Sequence, residues 1–252
     1  YPASTDITIQ VAAYVAHQVI QALKNGSATG TKFGKVVEVG HSFGSITATV
    51  EAATYNDAAG VILTGDAHSD TVFQNTAAAD LYPADDDPTF QNVAVIDSGY
   101  LTTVPGTRGT LFYAAHDSDP KVIADDENTK STVSSTMFVT GLPVLTSDDT
   151  AAISVPVLVI DGQNDALFCG ALVGGGTYDC SSGAAVAAQE APYYSAAAQL
   201  RACVVPGSGH DVNLSLDHVI EEADTVAWTY EYAGQLGTGQ LNTRVLPADC
   251  ST

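Results

Sequence analysis

A run of mostly β-branched residues, Val36-Val37-Glu38-Val39, passes into Gly40-His41-Ser42-Phe43-Gly44 and then into a helix-forming segment over 43–56. A strand, Gly-x-Ser-x-Gly and a helix in succession make a very sharp turn. Side chains two residues either side of the serine would strike the neighbouring strand or helix, so the sequence predicts that Gly40 and Gly44 both have to be glycine. Such a turn lifts the Ser42 hydroxyl clear of the sheet. It also aims the Phe43 amide at the space beside that hydroxyl, where a developing oxyanion would be held. In a chain with 22 glycines the pentapeptide alone says little, and its flanks give it weight.

Two further apolar runs end in residues of matching chemistry. Val155-Pro156-Val157-Leu158-Val159-Ile160 suits a parallel strand covered on both faces and leads into Asp161-Gly162-Gln163-Asn164-Asp165. A carboxylate there lies on the edge where open parallel sheets place their sites. Asp161 ends the strand, whereas Asp165 lies past the turn and can reach back over the edge, so Asp165 is favoured. Cys203-Val204-Val205-Pro206 leads into Gly207-Ser208-Gly209-His210-Asp211, where small residues let a loop carry His210 toward the serine. Together these residues make a nucleophile, a base and an orienting acid: His210 takes the Ser42 proton and Asp165 fixes the imidazole tautomer. Asp66 and His68 follow the strand over 60–64 and lie on the same edge, Asp66 being the alternative acid. His41 is expected to shape the pocket floor. His17, His116 and His218 have no supporting context and are read as structural.

The chain order Ser42, Asp165, His210 is that of the α/β-hydrolase superfamily. The sequence resembles it over 36–44, 155–165 and 204–211, most closely its secreted fungal esterase-like members with a Gly-His-Ser-Phe-Gly elbow. The resemblance implies a mostly parallel sheet flanked by helices. Residues 1–65 and 151–252 would form the core, the C-terminal three-quarters of such a domain, and 66–150 an inserted lid. It also implies cleavage of a small neutral carboxylic ester or lactone through an acyl-enzyme, with no cofactor and no metal. Alternatives on the same triad are amidase, acyltransferase or hydroxynitrile lyase chemistry, and outside enzymes a catalytically silent binding protein. The departure is at the front: no strands and no loop with a second oxyanion donor precede the helix over 6–24. The expectation is that they are missing, or reside on an N-terminal fragment of the same precursor that remains a partner. On the helix over 6–24, Val11, Tyr14, Val15, Gln18 and Ala22 read as one face, and a last helix is expected over 213–234.

Composition bounds the remainder. With 45% hydrophobic residues, 252 residues can bury one sizeable core. No apolar run is long enough to span a membrane. Eight basic residues against 29 acidic ones give a net charge of −21, which argues against nucleic acid and anionic substrates. The four cysteines lack Cys-x-x-Cys spacing, which speaks against zinc. Cys169 and Cys180 bracket a glycine-rich loop just after the proposed acid, and Cys203 in a strand can tie down Cys250. Both pairs are predicted disulfides, pointing to an oxidising, extracellular setting. Asn25 and Asn213 open glycosylation sequons. The stretch 66–150 is too long for a simple strand-to-strand connection. It carries apolar clusters at 93–96, 100–101, 111–113 and 137–139 beside acidic runs that lack calcium-loop spacing.

Overall fold

The computed structural model of the chain describes residues 1–93, 96–234 and 250. Helix α1 (Ile9–Asn25) begins at Thr8, whose hydroxyl accepts from the Val11 amide, and ends at Gly26 in the left-handed region. Strand β1 (Val37–His41), helix α2 (Phe43–Tyr55) and strand β2 (Gly60–Thr64) follow. The segment 66–150 contributes α3 (Val72–Ala77), β3 (Leu81–Pro83), β4 (Tyr100–Thr103), α4 (Arg108–Leu111), α5 (Pro120–Thr129), β5 (Val133–Ser134) and α6 (Ser135–Gly141). The chain returns with β6 (Val157–Gly162), the short hairpin β7 (Gly170–Ala171) and β8 (Thr177–Tyr178), α7 (Gly183–Glu190), β9 (Arg201–Val205) and α8 (His218–Ala233). Asp161 therefore lies within β6, one residue before its end.

Strands β1, β2, β6 and β9 form one sheet in that order, every pairing parallel. The register sets His41 beside Thr64, Thr64 beside Ile160, and Gly162 beside Val205. All four strands thus end on one edge, and the segments that follow them carry Ser42, Asp66, Asp165 and His210. Alternation within the central strands feeds two cores. Val61, Leu63, Val157, Val159 and Val204 pack with Ile20 of α1 and Ile46 of α2 on one face. Ile62, Leu158, Ile160 and Val205 pack with Trp228 of α8 on the other. Each fully buried aliphatic side chain contributes about 1.5–3 kcal/mol. Gly60 opens β2 because a Cβ there would stand 2.6 Å from the Trp228 ring.

The structure corrects the reading of α1. Its buried residues are Ile9, Ala13 and Ile20, while Val11, Tyr14, Val15 and Gln18 of the expected face point to solvent. Both sides of this helix are apolar, and the packing of α2 chooses between them.

Segment 66–150 builds its own antiparallel sheet in the order β3-β4-β5. It is pinned by a buried ion pair of Lys130 with Asp87 at 2.6 Å. Residues ahead of α1 tie into it: the Ser4 amide donates to Asp97 and the Ser134 hydroxyl donates to the Ser4 carbonyl. Of the apolar cluster at 93–96, Ala94 and Val95 lie outside the described residues. Disulfides join Cys169 to Cys180 and Cys203 to Cys250. Asn25 and Asn213 are exposed. No helix among the described residues is long and apolar enough to cross a membrane.

Candidate active site

Ser42 sits between β1 and α2 with φ 54° and ψ −119°, a conformation few non-glycine residues adopt. Its amide donates to the Thr64 carbonyl at 2.9 Å, and its carbonyl accepts from Ser45 at 2.8 Å. Ser45 locks the turn from behind: its hydroxyl donates to the Thr64 carbonyl and accepts from the Thr64 amide. A Cβ on Gly40 would lie 2.4 Å from the Gly44 carbonyl oxygen, so that glycine is required by close approach. Gly44 differs from the expectation. Nothing lies within 4 Å of where its Cβ would stand, because that face of the first helical turn is open. The Phe43 amide opens α2 and, among the described residues, has no hydrogen-bond partner, as a first-turn donor awaiting an anion would.

Asp165 is buried at the turn after β6. Its Oδ1 accepts from the Leu167 and Phe168 amides, and its Oδ2 receives His210 Nδ1 at 2.8 Å. One carboxylate thus orders its own loop and the imidazole together. Cys169 continues the turn by donating its amide to the Asp165 carbonyl, and the Cys169–Cys180 disulfide anchors that loop.

The His210 loop is gripped from the inserted segment. The Asp211 amide donates to the Phe112 carbonyl, and the Ser208 hydroxyl and Asp217 amide both donate to Asp117. A Cβ on Gly209 would meet the Ala114 nitrogen at 2.6 Å, which is why small residues precede the histidine. His210 is buried, and its Nε2 has no hydrogen-bond partner. Burial alone would lower its pKa, but the Asp165 charge and hydrogen bond, with Asp211 and Asp66 behind them, raise it above the ordinary imidazole value. Gly65, with φ +57°, is the close neighbour sequence reasoning missed. A Cβ there would approach the His210 ring to 2.9 Å and the His41 ring to 3.0 Å, one residue beyond the carbonyl that holds the Ser42 amide. Its signal was a glycine directly after a strand on the catalytic edge. Ser42 and His210 are not joined by a hydrogen bond in this structure.

The other expected residues separate. His41 bonds Thr64 through Nδ1 and Asp211 through Nε2, each at 2.9 Å, with its ring centre 4.9 Å from that of His210. The Asp211 carboxylate is desolvated, yet the hydrogen bond from His41 and the neighbouring imidazoles hold its pKa below the ordinary carboxylate value. Asp66 does not take the acid's place, since Asp165 already occupies His210 Nδ1. Burial pushes the Asp66 carboxyl up to about 7. His68 faces away, its Nδ1 on Glu190 at 2.6 Å and its ring stacked on Tyr193. Asp66 and His68 line a small cavity of about 10 Å³ with Thr49, Val144 and Leu145.

A larger cavity of about 770 Å³ opens beside Ser42. Phe43, Leu101, Phe112, Phe138 and Phe168 line it, and His41, Asp66 and His68 do not. His41 is held away by Thr64 and Asp211 and His68 by Glu190, while Asp66 faces the small buried cavity instead. Phe112 and Phe168 stand between this cavity and His210, each ring centre 5.6 Å from the imidazole. Arg108 reaches the wall with its charge already spent on Asp126, at 2.6 and 2.7 Å.

No protein-family model matches the chain, and no curated protein matches it significantly. Solved structures do. A monoacylglycerol lipase from Paleococcus ferrophilus superposes with a TM-score of 0.59 at 13% identity, over 90% of this chain and 76% of that one. A thermostable carboxyl esterase from Bacillus coagulans gives 0.57 at 15% identity, over 90% and 73%. An esterase domain from a Rhodothermus marinus protein gives 0.50 at 14%, over 84% and 67%. At such identities the likeness speaks of fold alone, and with the parallel sheet and its flanking helices it shows that this chain has the α/β-hydrolase fold.

Proposed function

We propose that the protein is a secreted serine hydrolase that cleaves a neutral carboxylic ester or lactone, with Ser42 as nucleophile, His210 as base and Asp165 as the orienting acid. The observation that carries this reading is the state of the His210 ring. Nδ1 is committed to Asp165, and Nε2 is buried without a partner on the edge that presents Ser42. Buried polar atoms are seldom left unpaired without a reason, and proton transfer from a serine supplies one.

In this mechanism Nε2 takes the Ser42 proton as Oγ bonds to the substrate carbonyl carbon. The Phe43 amide donates to the oxyanion that forms. Nε2 then gives the proton to the departing alkoxide, leaving an acyl-serine and an alcohol. Water repeats the sequence to release the acid and restore Ser42. The apolar cavity suits an acyl or aryl group, and the net charge of −21 disfavours anionic substrates. Segment 66–150 acts as the lid and substrate wall, since it supplies every lining residue except Ser42, Phe43, Ile46, Leu167 and Phe168. Two disulfides and exposed sequons at Asn25 and Asn213 favour an extracellular glycoprotein. The free edge of β1, with Val39 56% exposed, favours a further strand of the same precursor completing the sheet and bringing the second oxyanion donor.

A silent binding protein is favoured by one observation, the missing contact between Ser42 and His210 with Phe112 and Phe168 beside the imidazole. Intact-mass analysis after fluorophosphonate treatment separates the two. One adduct on Ser42, lost in His210→Ala, is expected of the enzyme. A folded protein that takes no adduct would leave only the binding role.

A further inference from the structure

On the sheet face opposite α8, four side chains from four elements converge: His17 of α1, Glu38 of β1, Glu51 of α2 and Asp57 of the turn before β2. His17 Nδ1 stands 2.9 Å from Asp57 Oδ2 and 3.7 Å from Glu51 Oε1. The ligand atoms of His17, Glu51 and Asp57 all lie within 4.8 Å of one another, and Glu38 lies within hydrogen-bonding reach of Glu51. Glu51 is 0% exposed, and both of its carboxylate oxygens are without a partner. One oxygen each of Glu38 and Asp57 is buried and unpartnered as well.

Three carboxyl groups held this close cannot all stay ionised unaided: burial lets them keep protons, pushing Glu51 up to about 9 and Glu38 up to about 7, and a bound cation can take the place of those protons. Among the described residues, no lysine or arginine pairs with any of the three. The nearest, Lys24, spends its ammonium on the Asp57 backbone carbonyl. Gln21 donates to the same Asp57 oxygen, Oδ2, that His17 Nδ1 approaches, which leaves Asp57 Oδ1 and both Glu51 oxygens without a partner. The Tyr55 ring stacks on the His17 imidazole at 4.0 Å and 17°, fixing the plane in which its nitrogens point. Divalent transition ions bind nitrogen and oxygen at roughly 2.0–2.2 Å, so ligand atoms about 3–4 Å apart close around one ion.

We propose that His17, Glu51 and Asp57, with Glu38 alongside, bind one divalent transition ion of the carboxylate-and-imidazole class, such as Mn²⁺ or Zn²⁺. Imidazole among oxygen donors favours that class over Mg²⁺ or Ca²⁺. The ion is structural. Glu51 lies nine residues along α2 from Ser42, about 13 Å at the helical rise, so the site is separate from the catalytic edge. It clamps α1 and β1 onto the helix that carries the nucleophile. Spacing in the sequence gave no hint, because the ligands at 17, 38, 51 and 57 come together only through the packing of α1 on α2.

The test is a Mn²⁺ titration of chelator-treated full-length protein, with free Mn²⁺ read by its paramagnetic resonance signal. One tight equivalent is expected, weakened at least tenfold in both Glu51→Gln and His17→Gln, and a Mn²⁺-dependent rise in Tm that Glu51→Gln abolishes. Both variants should keep fluorophosphonate labelling at Ser42 if the wild type shows it, and in any case the wild-type circular dichroism spectrum. Only weak, unsaturable binding would overturn the proposal, as would a tight equivalent that survives both substitutions, since the ion would then sit elsewhere on the acidic surface.

Discussion

Asp165 divides its carboxylate between two backbone amides and one imidazole, so its charge and its shape act on different partners. Asp165→Asn keeps the size but offers Nδ1 the wrong tautomer, and kcat is expected to fall by about 10⁴ with KM little changed. The raised His210 pKa gives a second expectation. A base must be neutral, so kcat/KM should rise with pH through a midpoint above the ordinary histidine value of about 6.5. A wild-type profile with its midpoint below that value would contradict the electrostatics described here. The two elbow glycines separate just as sharply. Gly40→Ala drives a methyl into the Gly44 carbonyl and should prevent a stable fold, whereas Gly44→Ala meets open space and should leave stability unchanged or raise it by about 0.5–1 kcal/mol, measured by denaturant unfolding. The placement of Ser42, Asp165 and His210 on one sheet edge was legible because each follows its own strand and is marked by local turn chemistry. Gly65, Asp117 and the His41–Asp211 pair were not, since their roles depend on which strand ends become neighbours.

At the level of elements, the Asp165 loop is short and held by one covalent tie. Cys169 follows the two residues whose amides hold Asp165, and its disulfide closes 11 residues onto Cys180. Replacing both cysteines by serine is expected to cost about 3 kcal/mol or somewhat less by chain entropy. Calorimetry should show a lower Tm, and kcat should drop as Leu167 and Phe168 loosen. If the double variant melts at the wild-type temperature, the loop is held by its hydrogen bonds alone. Helix α1 shows where sequence reading stopped. Its existence and its end near Gly26 were legible, though it starts at Ile9 rather than residue 6; its buried face was not, because the exposed side carries three valines and only packing against α2 and α6 selects Ile9, Ala13 and Ile20. The antiparallel sheet of 66–150 was equally hidden, since strands of two to four residues leave no period to read.

Across the whole molecule, the parallel sheet could be read from continuous β-branched runs, but the cost of its acidic interior could not. Asp161 and Asp224 are both buried carboxyl groups. Burial first, then the charges of Asp165 and Glu190, carries Asp161 well above the ordinary carboxylate value. Burial first, then Glu221, pushes Asp224 up to about 7. A raised carboxyl pKa means the folded state holds its proton over a range in which the unfolded chain has released it. That stability is fully present below about pH 4 and is lost as pH rises through the folded values, about 7 for Asp224. Asp161 and Asp224 therefore favour the fold more in mild acid than at neutrality, opposite in sign to salt-bridged carboxylates such as Asp87. The melting temperature should fall between pH 5 and pH 8, over the range where Asp224 is forced to ionise. Asp224→Asn removes that proton from the balance without changing shape, and is expected to flatten the decline while leaving fluorophosphonate labelling of Ser42 as it is in the wild type. A wild-type Tm that climbs across the same range would mean that these carboxyl groups find positive partners in the folded protein and ionise there.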